Sequence, residues 1–346
     1  MPDFQAWPLA ANATMFAVAA IIVLLAGIRL TGAADRLADM TGLGEALIGA
    51  VILGAVTSLS GSIASITAAL SGAPSLAVSN AVGGIAAQTV FLIIADLSYR
   101  GANLEHAAAS LTNLISGCML VVLLNLILIA QGLPQWTLAW IHPTTPVLLL
   151  FYVGGLVISY RSKETPMWAP VRTLDTRADV PEPMPPGGQS LPQLLVSILF
   201  LGTIVAGAGW FIAKTGLALS VQLGIAEGLV GALLTATATS TPELVTTLAA
   251  VRRGALTLAV GGILGGNTFD VLFIAFSDIA YLDGSIYHAM EPRQNFLIAL
   301  TTVMTGVLMV GLLQRERRGP VNIGVEGIIV LALYILGVLT MIFAFP

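Results

Sequence analysis

Two acidic side chains, Glu243 and Asp270, lie deep inside long apolar stretches of this sequence. If these stretches cross a bilayer, a charge at the centre costs about 2.5–3.5 kcal/mol, and such a group is retained where it faces a cavity, a partner or a cation. The alternative is a protonated acid that is hydrogen-bonded inside a helix bundle. The residues around both acids favour a cation site.

Glu243 closes the segment Thr239-Ser240-Thr241-Pro242-Glu243. Pro242 lacks an amide hydrogen and disfavours helix in the residue before it, so the segment predicts a helix that opens at Thr239 and Ser240. Hydroxyl and carbonyl oxygens are the ligands that hard cations prefer. Irregular backbone is tolerated at membrane depth only where it lines a cavity or is buried in protein.

Asp270 closes a second polar segment, which runs from Gly265 to Asp270. Asn267 and Asp270 are three residues apart and share one helix face. The glycine pairs at 83–84 and 265–266 allow a neighbouring helix to approach closely, which serves plain packing as well as a nearby site. The acids at the ends of apolar stretches are predicted to be interfacial. They are Glu45, Asp96, Glu227 and Asp278.

The composition indicates that these stretches belong to a membrane protein. Of 346 residues, 57% are hydrophobic and 9% are charged, whereas soluble domains carry about 25% charged residues. A single cysteine and three distant histidines provide no disulfide framework, thiolate cluster or zinc ligand pair. No basic patch with interleaved aromatic residues suggests a nucleic-acid partner, and no cofactor is predicted.

Ten stretches are long and apolar enough to span a bilayer, which needs about 20 residues each. They are 14–33, 43–70, 74–97, 107–130, 145–160, 192–213, 225–249, 255–279, 294–313 and 322–345. Residues 161–192 are polar and proline-rich, which predicts a linker. The linker divides an all-α membrane protein into halves of five spans each, at 1–160 and 193–346.

The distribution of basic residues predicts the orientation. With an external amino terminus, all but Lys214 and Arg293 of the 14 basic residues fall in the linker, in loops of the same side or at adjoining helix ends. Such an excess marks the cytoplasmic side. Both termini are therefore predicted on the exterior or periplasmic side of the plasma (inner) membrane.

The two halves are related in sequence. Residues 42–97 match residues 224–279 without a gap, and the paired positions include Glu45 with Glu227, Thr57 with Thr239, Ser58 with Ser240, Gly84 with Gly266 and Asp96 with Asp278. Similar composition of two apolar regions is the alternative explanation. Because each half has an odd number of spans, the second enters the membrane from the opposite side. This inverted repeat predicts a site at mid-membrane, between broken helices.

The segment TSTPELVTT followed by LAVGGILGGNTFDVL resembles the second alpha-repeat of the sodium/calcium exchanger family. IGAVILGAVTSLSG followed by LAVSNAVGG resembles a diverged first repeat. The resemblance implies a cation between the repeats, held by a glutamate of each TSxPE motif and by an acid or amide 27 residues further on. The predicted cation-binding residues are Glu243, Asp270, Asn267, Thr239, Ser240, Thr57, Ser58, Gln88, Gly84 and Gly266, with Glu243 and Asp270 as the carboxylate ligands of Na+ or Ca2+.

The first repeat departs from the family pattern. It reads Thr57-Ser58-Leu59-Ser60-Gly61, so a glycine stands where the glutamate is expected. Affinity for Ca2+ follows the number of charged ligands. The missing carboxylate favours a monovalent cation, a proton or a weakly held divalent cation, whereas the family resemblance favours Na+/Ca2+ exchange.

The resemblance implies a secondary active antiporter that moves Na+, H+ or Ca2+ by alternating access, with the first span of each half as the moving element. Inorganic cations and the lipid bilayer are the predicted partners, and the sequence does not specify the oligomeric state. The alternative is a transport-inactive ion-binding or regulatory protein on the same fold. An intramembrane enzyme is disfavoured, because no Ser/His or Asp/Asp constellation lies at membrane depth.

Overall fold

The computed structural model describes residues 3–41, 54–164, 166, 168–171, 173, 190–320 and 323–345. This part of the chain is helical, and its only β-type pairing is an isolated bridge between Leu138 and Ile141. The prediction of an all-α protein is therefore confirmed. Residues 42–53, which include Glu45 and the start of the first repeat, lie outside the described residues.

Eleven main helices form the described part of the chain. They are α1 (Leu9–Thr41), α2 (Leu59–Leu70), α3 (Pro74–Ser98), α4 (Leu111–Gly132), α5 (Thr144–Glu164), α6 (Leu191–Leu223), α7 (Ala236–Arg253), α8 (Leu256–Asp270), α9 (Leu272–Ala280), α10 (Pro292–Gln314) and α11 (Val325–Phe343). Shorter helical segments are Phe4–Ala6, Leu104–Ala107, Glu227–Leu229 and a π-helix at Val230–Thr235.

Eight helical segments within the described residues are long and apolar enough to cross a membrane: α1, α3, α4, α5, α6, α8 continued by α9, α10 and α11. The chain is therefore an integral membrane protein. Two predicted spans are not among these eight. The span at 43–70 lies partly on residues 42–53, outside the described residues, and its described part contains the 12-residue α2. The span at 225–249 corresponds to α7, which contains the hydroxyl, proline and acidic residues of the candidate site.

Helices α1 and α6 are longer than predicted, at 33 residues each. At 1.5 Å per residue each is about 50 Å long, which exceeds the roughly 30 Å hydrocarbon core. The predicted boundary at residue 33 is wrong because the helix continues past Asp35 and Arg36. The predicted linker is also shorter than 161–192, since α5 continues to Glu164 and α6 begins at Leu191.

The predicted opening of the helix at Thr239 and Ser240 is not observed. Helix α7 runs through Pro242, and the irregular turn lies earlier, in the π-helix at Val230–Thr235. The Thr241 hydroxyl donates to the Ala238 carbonyl at 3.0 Å, which is the acceptor that the missing proline amide would have used. In the first half the helix is interrupted at Ser58, between helical residues 54–57 and α2.

Helices α3 and α8–α9 form the interior, and their apolar residues are mostly buried. Helix α1 packs along α6, and both also contact the helices that carry the TSxPE-like segments. The outer faces of α1 and α6 are apolar and exposed, as at Ile21, Leu25, Leu199 and Phe200. These faces are suited to contact with lipid.

The sequence relationship between the halves extends to the helix boundaries. Helices α1 and α6 have equal length and are related by one sequence offset, which also relates Pro74–Ser98 to Leu256–Ala280. The same offset relates Gly72 to Gly254, which follow α2 and α7 with φ of 72° and 80°. The correspondence is therefore longer than the predicted match of 42–97 with 224–279.

Candidate cation-binding site

Asp270, at the end of α8, joins the two halves at the centre of the molecule. Its Oδ1 accepts a 2.5 Å hydrogen bond from the Ser58 hydroxyl, and its Oδ2 accepts a 2.7 Å bond from Nε2 of Gln88. All three side chains are buried. A carboxylate that accepts on both oxygens is suited to the ionised form, which has acceptors and no donor.

A second contact is the counterpart of the first. Nε2 of Gln88 also lies 3.2 Å from the Ser240 hydroxyl, and Ser240 and Gln88 are the repeat equivalents of Ser58 and Asp270. Gln88 and Asp270 are themselves 182 residues apart, which is the offset between the repeats. Equivalent positions of the two halves therefore meet each other at the centre.

Asn267 lies one turn before Asp270 and makes the same type of contact. Its Nδ2 lies 3.5 Å from the carbonyl oxygen of Ile85, again 182 residues away, and 3.4 Å from the Thr89 hydroxyl. Both distances are long for a hydrogen bond. This placement agrees with the prediction that Asn267 and Asp270 share a helix face, and it shows that the face lies against the first half.

Glu243 is buried on α7, one turn beyond Ser240, and within electrostatic range of Asp270. Its Oε2 has no hydrogen-bond partner among the described residues, and neither has Oε1 of Gln88 or Oδ1 of Asn267. An unpaired buried acceptor is costly, and a charged one more so. These three acceptors could be satisfied by a cation, a proton or water.

The two predicted threonines are used locally. The Thr57 hydroxyl donates to the Gly54 carbonyl at 3.1 Å. The Thr239 hydroxyl lies 3.0 Å from the Thr235 carbonyl and 3.5 Å from Oδ1 of Asn80. Thr57 is therefore not brought into the contacts around Asp270, whereas Thr239 reaches the other half through Asn80.

The two predicted glycines leave space for polar side chains of the opposite repeat. A Cβ on Gly84 would lie 3.2 Å from the Ser240 hydroxyl, and a Cβ on Gly266 would lie 3.7 Å from Oε1 of Gln88. The close approach at Gly84 would force Ser240 to shift. Both glycines therefore serve packing and the polar cluster together.

An aromatic ring occupies the place of the missing glutamate. A Cβ on Gly61 would lie 2.6 Å from Cε2 of Phe273, a buried residue of α9. No longer side chain fits at this position unless the ring moves. Among the described residues, position 61 of the first half therefore provides no carboxylate opposite Glu243.

Asn80 is a central residue that the sequence reasoning missed. It is buried on α3, and its Nδ2 donates to the Gly61 carbonyl at 3.1 Å and to the Ser65 hydroxyl at 2.9 Å. It fixes the backbone where the first repeat departs from the family pattern. The signal was an amide side chain inside an apolar span, which is costly unless it is hydrogen-bonded.

Asp96 and Asp278 are fully buried and lie two residues before the ends of α3 and α9. Their predicted position at the membrane interface stays a prediction. Oδ1 of Asp96 accepts the Leu104 amide at 2.7 Å, and Oδ1 of Asp278 accepts the Ile286 amide at 3.0 Å. Each acid therefore ties the end of its helix to the loop that follows. Glu227 lies outside the candidate spans and is half-buried, and burial followed by the charge of Glu291 raises its pKa.

Within the described part of the chain, no group of three or more His, Cys, Asp or Glu side chains is arranged to hold a metal ion. The central cluster offers two carboxylates, of which Asp270 has donors on both oxygens. The fold and this cluster define a multi-span helical membrane protein whose polar centre lies between two sequence-related halves.

Comparison with known proteins agrees with this description. The family of sodium/calcium exchanger proteins matches residues 11–161 and 192–343, and the chain belongs to this family. The match covers most of both halves and leaves out most of the predicted linker. The predicted family resemblance is therefore confirmed.

One relative and two solved structures resemble nearly the whole chain. CaxA of Alkalimonas amylolytica, which is named as an antiporter, is 24% identical over 331 residues, or 93% of this chain and 96% of that protein. A structure of the sodium-calcium exchanger NCX_Mj is 19% identical with a TM-score of 0.59, covering 96% of this chain and 99% of its own. The H+/Ca2+ exchanger CAX is 15% identical with a TM-score of 0.66, covering 96% and 82%.

Proposed function

We propose that this protein is a secondary active antiporter that exchanges cations across the plasma (inner) membrane. The observation that carries the proposal is the group of unpaired, buried acceptors at the contact between the halves, above all Oε2 of Glu243. The proposed site consists of Glu243, Asp270, Asn267, Thr239, Ser240, Ser58, Gln88, Gly84 and Gly266, and Asn80 is added to it. Thr57, whose hydroxyl donates to the Gly54 carbonyl, stays a prediction.

We also propose that the halves are inverted repeats of five membrane crossings, at 1–160 and 193–346, joined by a cytoplasmic linker. The reciprocal contacts of Ser58 with Asp270 and of Ser240 with Gln88 support a two-fold relationship between the halves. An odd number of crossings per half requires opposite orientations in the membrane. The positive-inside distribution then leaves both termini outside.

The charge of the site favours one positive charge per transport step. Asp270 is compensated by two donors from the first half, so Glu243 is the carboxylate left to neutralise an ion. A single carboxylate matches Na+ or H+ better than Ca2+, which normally takes more than one. The relatives are named for Na+, Ca2+ and H+, so these are the ions to test.

Alternating access requires helices that can move against the site, and α1 and α6 are the proposed elements. A Cβ on Gly27 of α1 would lie 2.7 Å from Cγ of Pro242, and a Cβ on Gly209 of α6 would lie 2.5 Å from the Ser60 carbonyl. These two contacts are repeat equivalents. Each long helix therefore contacts the TSxPE-like segment of the opposite half through a glycine. Without a side chain at this position, the helix has no knob that would lock it to the segment as it moves.

Flux into proteoliposomes tests the proposal. We expect a Na+ gradient or a pH gradient to drive uptake of labelled Na+ or Ca2+ by the wild type and not by Glu243→Gln. Ion-dependent thermal stabilisation of the purified protein should also be lost in that variant. Equal uptake in both proteins would remove Glu243 from the site, and no uptake under any gradient would reject antiport.

The alternative is a transport-inactive protein that binds an ion on the same fold. The observation in its favour is Phe273, which fills the place where the family pattern requires a second glutamate. This protein would be stabilised thermally by an ion while showing no counter-ion-driven uptake. The same two measurements therefore separate the two candidates.

A further inference from the structure

Two buried clusters tie the ends of α3 and α9 to the loops that follow. Asp96 and Asp278 each accept the amide of the residue eight positions further on. Asp96 also accepts the amide of Gly324, and Asp278 accepts the amide of His142 at 2.9 Å. Gly324 and His142 are repeat equivalents, so the two acids have the same backbone partners.

In each loop a histidine ring contacts a backbone carbonyl. Nδ1 of His106 lies 2.7 Å from the Arg315 carbonyl, and Nε2 of His288 lies 2.8 Å from the Leu133 carbonyl. These histidines and these carbonyls are again repeat equivalents. If the repeats are inverted, the two clusters close opposite ends of the molecule by the same set of backbone contacts.

We call the first the Asp96 cluster (Asp96, Glu105, His106 and Glu326) and the second the Asp278 cluster (Asp278, His142, Thr145 and Tyr287). The Asp278 cluster contains hydroxyl donors. Thr145 donates to Asp278 at 2.6 Å, and its hydroxyl lies 2.8 Å from that of Tyr287. Its polar groups are therefore linked without a second carboxylate.

The Asp96 cluster contains three carboxylates. Glu105 is the repeat equivalent of Tyr287, and Glu326 is the repeat equivalent of Thr144. They are 0–5% exposed, and Oδ2 of Asp96, Oε2 of Glu105 and Oε1 of Glu326 have no hydrogen-bond partner among the described residues. The Glu326 carboxylate is packed so closely that a Cβ on Gly311 or Gly324 would collide with it. These acids cannot turn toward solvent without opening the cluster.

The surroundings of Glu105 contain further charged groups. Asp96 at the end of α3, Glu326 at the start of α11 and Glu316 in the preceding loop act on it with like charge. Of the basic residues nearby, His106 follows Glu105 in the chain, and Arg315 donates to the carbonyls of Val171 and His106. Arg317 accepts the Asn103 amide through its carbonyl.

Burial and then repulsion from Asp96 raise the pKa of Glu105 from 4.5 to about 8. Glu105 lies in the loop helix Leu104–Ala107, outside the candidate spans. Three carboxylates in one buried cluster cannot all ionise at neutral pH, and at least one proton is shared among them.

We propose that the Asp96 cluster is a proton-binding site, separate from the central site, whose proton holds this end of the protein closed. The Asp278 cluster closes the opposite end without a proton. The positive-inside distribution places the Asp96 cluster on the cytoplasmic side, so it would respond to internal pH. The proposal concerns closure and does not depend on which ion is transported.

The sign of the pH dependence follows from the two protonation states. When this end is closed, Glu105 keeps its proton up to about pH 8. When this end is open and Glu105 is solvated, the carboxyl group loses its proton near pH 4.5. Opening therefore releases a proton, and the open fraction rises with pH between these values, by roughly tenfold per pH unit for one proton. Above about pH 8 the dependence levels off.

Paired cysteine reporters test this directly. Ala95 and Ser277 are repeat-equivalent, fully buried neighbours of Asp96 and Asp278. In a Cys118→Ser background, Ala95→Cys and Ser277→Cys are alkylated with a maleimide on the purified full-length protein from pH 6 to 9. The Ser277→Cys rate serves as the reference for the general rise of thiol ionisation with pH.

We expect the ratio of the Ala95→Cys rate to the Ser277→Cys rate to rise with pH up to about 8 and to lose most of its rise in Glu105→Gln or Glu326→Gln. Glu316→Gln is the comparison variant, because Glu316 has the smallest like-charge effect on Glu105 and its Oε2 accepts the Val325 amide at 3.3 Å. It should shift the profile less than either Glu105→Gln or Glu326→Gln. A pH-independent ratio, or a profile unaffected by both glutamate variants, would overturn the proposal.

Thermal unfolding provides a second measurement for the case that a cysteine variant fails to fold. The wild-type Tm should fall between pH 5 and 8, because the folded state holds a proton that the unfolded chain has released. Glu105→Gln should flatten this slope, and Glu316→Gln should retain more of it. An unchanged slope in Glu105→Gln would also contradict the proposal.

Discussion

The two halves of this protein share much of their helix arrangement and differ in chemistry. The boundaries of α1 and α3 match those of α6 and α8–α9 by one offset, and the contact of Ser58 with Asp270 has its counterpart in the contact of Ser240 with Gln88. Where the second half carries Glu243, however, the first half carries Gly61, covered by Phe273. The geometry of a two-sided site is kept while half of its charge is absent.

The same contrast recurs at the ends of the molecule. The Asp96 and Asp278 clusters have equivalent backbone hydrogen bonds, yet the first contains three carboxylates and the second contains one carboxylate with hydroxyl groups. A repeat can therefore retain its packing while each half acquires its own electrostatic role. The following predictions test this separation of packing from charge, beginning with the largest effect.

Glu243→Gln keeps the side-chain volume and removes the unpaired charge of the second half. We expect counter-ion-driven uptake to be lost and ion affinity to fall about a hundredfold, the equivalent of a charged contact of roughly 3 kcal/mol. Uptake in proteoliposomes and ion-dependent Tm measure the two effects. Glu227→Gln, which neutralises a half-buried acid outside the candidate spans, is the control and should behave as the wild type.

Exchanging the amide at position 88 and the carboxylate at position 270 tests whether the Ser58–Asp270 and Ser240–Gln88 contacts are equivalent. Asp270→Asn sets one amide against another and should cost roughly 1–3 kcal/mol of stability. Gln88→Glu brings two carboxylates together and should also destabilise. In the double variant the carboxylate lies in the first half, where Ser240 can donate to it, so Tm should recover above both single variants. Additive losses would show that the two contacts are not interchangeable.

Restoring the missing carboxylate requires that Phe273 be made smaller as well. Gly61→Glu alone should destabilise the protein, because overpacking costs about 1–3 kcal/mol. Gly61→Glu combined with Phe273→Ala should raise Ca2+ affinity by roughly tenfold, since affinity follows ligand charge. Ca2+-dependent Tm, with Phe273→Ala alone as the reference, measures this. Unchanged Ca2+ affinity in the double variant would mean that the halves do not converge on one ion.

Alanine substitution of the contact glycines in α1 and α6 should have the same effect in both halves, although only the second half carries the glutamate at the candidate site. Gly27→Ala and Gly209→Ala each introduce a Cβ that collides with the TSxPE-like segment of the opposite half, and each should cost about 1–3 kcal/mol. Gly207→Ala has open space at its Cβ and should be neutral or slightly stabilising. If only one of Gly27→Ala and Gly209→Ala lost stability, the two halves would be equivalent only in the contacts around Asp270 and Gln88.

Much of the fold was predictable because hydrophobic length and repeat matching are local properties of a sequence. The all-helical class and eight of the ten predicted spans followed from residue types and spacing. The lengths of α1 and α6 were not predictable in this way, since charged residues near helix ends continue the helix when flanking contacts support it. The interruption near Pro242 was also misplaced, because Thr241 supplies the replacement donor.

The sequence by itself determined the class of the protein, the two deep acids and the absence of a glutamate at position 61, since each of these depends on residue identity alone. Only the tertiary structure decided which polar atoms meet. It paired Asp270 with donors from Ser58 and Gln88, left Oε2 of Glu243 without a hydrogen-bond partner among the described residues, and placed Phe273 over Gly61. These partners are distant in the chain, and an unpaired charge is a property of a three-dimensional neighbourhood.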